Sequence, residues 1–181
     1  MSQARATAPE AEATQFNFPS LCRDICDVLD PSGKHVFTST PANIIADRTA
    51  MQIAIRNILE NALKHGQKDQ LEIDIWIQPG VPEMLDVMII DNGRGFSQAA
   101  LKFLNGGPFR TDSGYGLFGV RRLIQARGGT ILARNAARNA GAVIRFSLPG
   151  KWIGATTSIG DPVRDWAATP AAPPPETRFI A

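Results

Sequence analysis

No apolar run in this chain approaches the ~20 residues a helix needs to cross a bilayer. The first stretch, Met1–Gln15, is rich in Ala, Glu and Thr and has no apolar core, so it does not read as a secretory signal. Cysteine is scarce: there are 2, Cys22 and Cys26, four apart in a predicted helix, with no further ligands nearby. They read as two reduced thiols rather than a metal site. An excess of charge of one sign is also missing. Lys and Arg total 19 against 17 Asp and Glu, a net charge of +2, so nothing global argues for nucleic acid or an anionic membrane surface as a partner. There is no internal repeat.

What remains is globular. Hydrophobic residues make up 44% and charged residues 20% of the 181 residues, enough for one domain with tails. The expected location is the cytosol. Met1–Gln15 reads as a disordered leader, the domain as residues 16–150, and 151–181 as a Pro/Ala-rich tail. The tail reading rests on Pro149-Gly150 and on five of the 13 prolines falling in the last twenty residues. Trp152 and Trp166 are candidates to dock back on the domain.

Within the domain, Ser20 is expected to cap a helix through Leu29, with Leu21, Ile25, Val28 and Leu29 as its apolar face. His35–Thr40 suggests an edge strand and Pro41–Ala46 an extended segment. The clearest helix starts at Asp47 and ends near His65 at Gly66. Met51, Ile55, Ile58, Leu59 and Ala62 form its buried stripe. Asn57, Asn61 and Lys64 fall on another stripe, at i, i+4 and i+7. Asn is a poor helix former, so two on one face look placed; a solvated face is the competing reading. Leu71–Ile77 alternates as a half-buried strand, and Leu85–Ile90 is a nearly continuous apolar strand, expected to be central. Gln98–Leu104 is a short helix. Gly114–Ala126 is another, with Leu117, Val120 and Ile124 buried. Thr130–Arg134 and Ala142–Leu148 are the last strands.

Three stretches carry chemistry. Ile89-Ile90-Asp91-Asn92-Gly93-Arg94-Gly95 delivers one carboxylate to a strand end, followed by glycines that let backbone approach a flat ligand. Alone it reads equally well as a plain turn. Gly114-Tyr115-Gly116-Leu117-Phe118-Gly119 runs into a helix N-terminus, where free N–H groups and the helix dipole favour an anion. The helix bearing Asn57, Asn61 and Lys64 is the third.

In this order the three resemble the ATP-binding domain of the superfamily that includes DNA gyrase, a heat-shock chaperone, mismatch-repair proteins and, nearest in pattern, sensor histidine kinases. Asn57-Ile-Leu-Glu-Asn61-Ala-Leu-Lys64-His65 resembles their N box. Asp91-Asn-Gly-Arg-Gly-Phe96 resembles the G1 box, and Gly114-Tyr-Gly-Leu-Phe-Gly-Val120 a G2 box. Phe109-Arg110 resembles a reduced F box, and Gly128-Gly129-Thr130 with Leu148-Pro149 resembles the end of the domain. The resemblance implies an α+β two-layer sandwich of the GHKL or Bergerat type. Its sheet would be mixed and mostly antiparallel, of about five strands, with about three helices on one face.

It also implies roles. Asp91 would accept from the adenine amine, with Gly93, Gly95 and Phe96 against the base. Asn61 would be the Mg²⁺ ligand. Asn57, Lys64 and His65 would face the phosphates of ATP, Asn57, Asn61 and Lys64 forming the catalytic face. Phe109 and Arg110 would lie in the lid, and Gly114, Tyr115, Gly116, Leu117 and Gly119 would hold the phosphate chain. ATP-hydrolysing members carry Glu where this chain has Asn57. Glu60 is about 100° around the helix from Asn61, so hydrolysis is expected to be slow and the phosphoryl group kept for a kinase reaction.

Two departures stand out. Neither His35 nor His65 fits a phosphoacceptor, so a histidine-bearing dimerisation segment and a downstream response regulator are the expected partners, and the chain is expected to be a monomer. Where these domains usually have Gly-Thr at the last strand, this one has Gly141-Ala142. Two other readings stay open: an anti-sigma-factor-like serine kinase, and a degenerate nucleotide-binding or interaction module.

Overall fold

The computed structural model describes residues 12–108, 115–136 and 141–155. Seven strands and four helices alternate along them. The strands are β1 (Ala13–Asn17), β2 (Val36–Ser39), β3 (Asn43–Asp47), β4 (Glu72–Gly80), β5 (Met84–Asp91), β6 (Ile131–Asn135) and β7 (Ala142–Gly154). The helices are α1 (Phe18–Leu29), α2 (Arg48–His65), α3 (Gln98–Leu104) and α4 (Tyr115–Ala126). The sheet order is β1-β3-β7-β5-β4-β2, with β6 also paired to β7. Every pair is antiparallel except β2 with β4.

Strand periodicity explains the two layers. In β4 the buried residues are Ile73, Ile75 and Ile77; in β5 they are Leu85, Val87 and Ile89. Their neighbours of opposite parity are partly exposed. One face of the sheet therefore meets helices and the other meets water. On the helix side α2 buries Met51, Ile55, Ile58 and Leu59, the predicted stripe, and packs against both α1 and α4. The short α3 packs near β6 as a fourth helix. As expected, β5 is central and β2 lies at an edge.

Both domain boundaries differ from expectation. The leader reading ended at Gln15, yet Ala13–Gln15 belong to β1, paired through Ala13↔Asp47 to Asn17↔Asn43. β1 then runs straight into α1, whose cap is Asn17 rather than Ser20: Asn17 Oδ1 accepts from Ser20 N–H at 2.8 Å. The tail reading began at residue 151, yet β7 continues to Gly154 by pairing with β3. Pro149 is where the β5 pairing ends, opposite Met84, and Gly150 is where the β3 pairing takes over, opposite Ala46. Gly150 is a close-approach glycine: a Cβ there would sit 2.6 Å from Ile45 O. Trp152 packs partly against the core, whereas Trp166 and the rest of the predicted tail lie outside the described residues.

Cys22 and Cys26 are thiols, outside any disulfide and fully buried on α1. Burial, helped by the neighbouring Cys26, pushes the Cys22 thiol well above the usual range, which makes it an inert core residue. Among the described residues no helix is long and apolar enough to cross a membrane.

Candidate functional site

α2 carries Asn57, Asn61 and Lys64, and it places Asn57 beside the start of α4. α2 starts where the sequence predicts, and Asp47 is its cap: Asp47 Oδ1 accepts from Ala50 N–H at 2.8 Å. The other end falls where the sequence predicts, at His65 with Gly66 as the C-cap. Gly66 has φ −64°, an ordinary helical value, and the positive φ of 55° falls on Gln67. Gly66 is glycine because of its neighbours: a Cβ would lie 2.7 Å from Ala62 O and from Leu71 Cδ1.

The same crowding joins α2 to the turn after β5. A Cβ on Gly93 would meet Gly66 Cα at 2.8 Å, and Arg94 N–H donates to Gly66 O at 3.1 Å. Two predicted site elements thus touch backbone to backbone through a glycine pair. Gly95 has φ +83°, which favours glycine over any L side chain.

Asp91 ends β5 half-buried, as the apolar run predicts. Its Oδ1 accepts from Gly93 N–H at 2.8 Å and, at 3.4 Å, from Ala142 N–H. Among the described residues its Oδ2 accepts nothing. Burial raises its pKa, against the lowering effect of these two N–H groups and of the Lys68 charge. The result is a partly desolvated carboxylate with one oxygen committed and one available to a ligand.

On α2, Asn57 Nδ2 donates to Ile53 O at 2.8 Å, one turn back along its own helix. Its Oδ1 lies 3.6 Å from where a Gly116 Cβ would be. Gly116 therefore lets α4 expose bare backbone opposite Asn57. Asn61 is half-buried on the next turn and makes no side-chain hydrogen bond among the described residues. Lys64 is exposed, and its Nζ is held by Glu60 Oε1 at 2.8 Å. This contact with Lys64 lowers the Glu60 pKa, and an exposed pair of this kind is weak. His65 is exposed at the helix end.

α4 bears out the predicted burial of Leu117 and narrows the set of free amides. The Leu117 side chain is 3% exposed in the core, so only its amide can serve an anion. Gly119 lies in the second turn, where a regular helix uses the N–H in its own ladder. With nothing within 4 Å of its would-be Cβ, Gly119 contributes open space rather than a donor. Tyr115 opens the helix. Phe109, Arg110 and Gly114 lie outside the described residues.

Other residues at the site escaped the sequence reading. Asn135, on β6, bonds Phe96 through both amide atoms. Arg121, on α4, donates to Phe103 O and to Gly107 O, each at 2.7 Å, and stacks 4.7 Å over the Phe103 ring. Asn105 bonds Ala133 N–H and C=O, both at 2.8 Å. All are polar side chains that satisfy distant backbone, and no local spacing marks them. His35 is structural: its Nδ1 accepts from Leu71 N–H at 3.0 Å.

Comparison with known proteins agrees with this arrangement. The family model described as histidine kinase-, DNA gyrase B-, and HSP90-like ATPase matches residues 46–151. No curated protein matches the chain. Among solved structures, a mycobacterial sensor histidine kinase, MprB, aligns with TM-score 0.60 at 20% identity, over 78% of this chain and 99% of that one. The nucleotide-free catalytic domain of the histidine kinase ThkA aligns with TM-score 0.62 at 23% identity, over 76% and 97%. The ATP-binding domain of PrrB from Mycobacterium tuberculosis aligns with TM-score 0.56 at 21% identity, over 77% and 98%. At these identities the structural likeness speaks for the fold, while the family match spans more than half of the sequence and includes Asn57, Asn61, Asp91 and the glycines of both turns. The chain belongs to the histidine kinase-, DNA gyrase B-, and HSP90-like ATPase family, an ATP-binding family.

Proposed function

We propose that this chain binds Mg·ATP and donates the γ-phosphoryl group to a histidine on a separate dimerisation segment, from which a response regulator takes it. The observation that supports the reading is a half-buried strand-end carboxylate, Asp91, in the same fold as a helix face that bears the amides Asn57 and Asn61. Asp91 Oδ2 is left to accept from an exocyclic amine, a charge-assisted bond in a partly dry site. Asn57 faces the start of α4, Asn61 lies one turn further along α2, and the one carboxylate on α2, Glu60, is turned to Lys64. No general base is thereby supplied for water, which suits transfer to an outside nucleophile.

The residues also fit the metal. Among the described residues no three His, Cys, Asp or Glu side chains cluster. Magnesium does not require such a cluster: it takes hard oxygen, commonly one or two protein ligands beside phosphate oxygens and waters. Asn61, half-buried with an uncommitted amide, would supply that oxygen. Bound Mg²⁺ would neutralise phosphate charge. The first-turn amides of α4 at Tyr115, Gly116 and Leu117 would hold the phosphate chain, and Lys64 would move from Glu60 to the phosphates.

Titration calorimetry with a non-hydrolysable ATP analogue tests the pocket. Binding should depend on Mg²⁺ and disappear in Asp91→Ala with the fold intact. Asn61→Ala should remove mainly the Mg²⁺-dependent part; equal losses with and without metal would count against its role. Labelled ATP then identifies the acceptor: acid-labile label on an added histidine-bearing segment is expected, and acid-stable label on a serine protein would transfer the assignment to a serine kinase. Strong labelling of this chain alone would overturn the proposal.

A further inference from the structure

The Asn135 side chain behaves as a short piece of neighbouring strand. Its Oδ1 accepts from Phe96 N–H at 2.7 Å and its Nδ2 donates to Phe96 C=O at 3.0 Å. The pair lies next to Gly95, whose φ is +83° and whose would-be Cβ would sit 2.7 Å from the same Oδ1. Gly95 is thus excluded from bearing a side chain both by its backbone conformation and by the amide packed over it.

The hairpin from which Asn135 projects also holds the other end of this turn. Asn135 is paired with Ala142 across β6 and β7, and Ala142 with Asp91 across β7 and β5. Ala136 N–H donates to Gly141 O at 2.9 Å, closing the hairpin end. Gly141, with φ +123°, lies so close to β5 that a Cβ would be 1.8 Å from Asp91 O. One hairpin end therefore braces the Asp91–Phe96 turn at both its first and last residues.

We infer that Asn135 is a positioning residue for the purine: it holds the Gly93–Gly95 backbone in place relative to the Asp91 carboxylate, acting through Phe96. The inference rests on the ATP-binding reading above. A carboxamide suits the task because it offers a donor and an acceptor on one short side chain. Aspartate would keep the acceptor for Phe96 N–H but set a second acceptor against Phe96 C=O. Alanine would release both bonds and leave two backbone groups to find water. A purely structural cross-link between β6 and the turn would change stability and leave the affinity of the folded chain untouched. A positioning role changes affinity for the base.

The test titrates the full chain, Asn135→Ala and Asn135→Asp with Mg²⁺ and either the adenine or the guanine β,γ-imido triphosphate, each well below its own unfolding midpoint. Adenine affinity should fall about tenfold in Asn135→Ala, the size expected for two modest hydrogen bonds. Asn135→Asp should lie between it and the wild type. The guanine analogue presents O6, an acceptor, to Asp91, so its weaker affinity should change less and the preference for adenine should shrink. Equal adenine affinity in the wild type and in either folded variant overturns the inference, whatever happens to the midpoint. A wild-type chain that binds neither analogue overturns the ATP-binding reading and this inference with it.

Discussion

Arg127 Nε donates to Asp47 Oδ2 at 2.7 Å, joining the cap of α2 to the residue that follows α4. The two helices that carry the asparagine stripe and the proposed phosphate-side amides are thus linked at the end opposite the proposed site. Asp47 does two jobs, because its other oxygen accepts from Ala50 N–H. Asp47→Ala removes both the cap and the ion pair and should cost about 2 kcal/mol, most of it the cap. Arg127→Ala should cost less than half as much, since the cap survives. Chemical denaturation measures both; equal costs would mean that the ion pair, and not the cap, dominates.

The pH dependence of stability follows from two carboxylates, the buried Asp30 and the half-buried Asp47. Burial alone would raise the pKa of Asp47, but the Ala50 N–H and Arg127 outweigh it and the net shift is down. Asp30 is also lowered: burial opposes it, while N–H groups of His35 and Lys34 and the Ser32 hydroxyl outweigh that. A carboxyl with a lowered folded pKa contributes stability that is fully present above its unfolded pKa and is lost as pH falls through the folded pKa. Stability should therefore be level near neutrality and fall below about pH 4, where unfolded-state carboxylates titrate. In Asp47→Asn the slope should be shallower. An unchanged slope in that variant would remove Asp47 from the account.

Asp91 has the opposite sign. Its raised folded pKa means that ionisation weakens folding, so its contribution diminishes as pH rises through that value. Ligand binding runs the other way, because an amine donor needs the carboxylate. Affinity for the ATP analogue should be constant at neutral pH and decline on acidification, beginning above the ~4 of an ordinary Asp. Binding in that window should release a proton, visible as a dependence of the calorimetric heat on the ionisation enthalpy of the buffer. Affinity that holds level down to about pH 4 would show that Asp91 is not the acceptor.

Parts of this arrangement were legible in the sequence because their signals are local. Asp47, the Met51–Ala62 stripe and the stop near Gly66 lie within one helix, and Ile89-Ile90-Asp91 announces a strand end by itself. Most of β1 was not legible: Phe16–Pro19 reads as a short strand or entry segment, but Ala13-Thr14-Gln15 has no apolar alternation, because an edge strand paired only with β3 buries little. Pro149-Gly150 reads as a terminator by composition, yet that pair marks a change of strand partner. Asn135 is silent for another reason. Its partner Phe96 is 39 residues away, and an amide that satisfies backbone leaves no periodicity.

Two glycines separate backbone strain from collision. Gly128 has φ +74° and nothing within 4 Å of its would-be Cβ, so Gly128→Ala should cost about 1 kcal/mol from conformation alone. Gly141 has φ +123° and would press a Cβ onto Asp91 O. Gly141→Ala should cost on the order of 3 kcal/mol or more and, because the strand end must shift, should weaken nucleotide binding as well. Denaturation curves with parallel titrations separate the two effects. Similar costs for both variants would show that the hairpin end yields easily and braces nothing.

The resemblance to ATP-hydrolysing relatives turns on position 57, where they carry Glu. Here Asn57 projects toward the α4 backbone at Gly116, and among the described residues its Nδ2 is engaged only with Ile53 O of its own helix. A glutamate at 57 would lose that bond to Ile53 and place a carboxylate one methylene further out, toward the start of α4. Asn57→Glu should therefore raise ATP turnover to water by at least the ~100-fold that a positioned general base supplies, while phosphoryl transfer to a histidine-bearing segment falls. Free phosphate release under single-turnover conditions is the measurement. A variant that still binds the ATP analogue but hydrolyses no faster would mean that the missing base is not what spares the γ-phosphoryl group, and water exclusion would have to take its place.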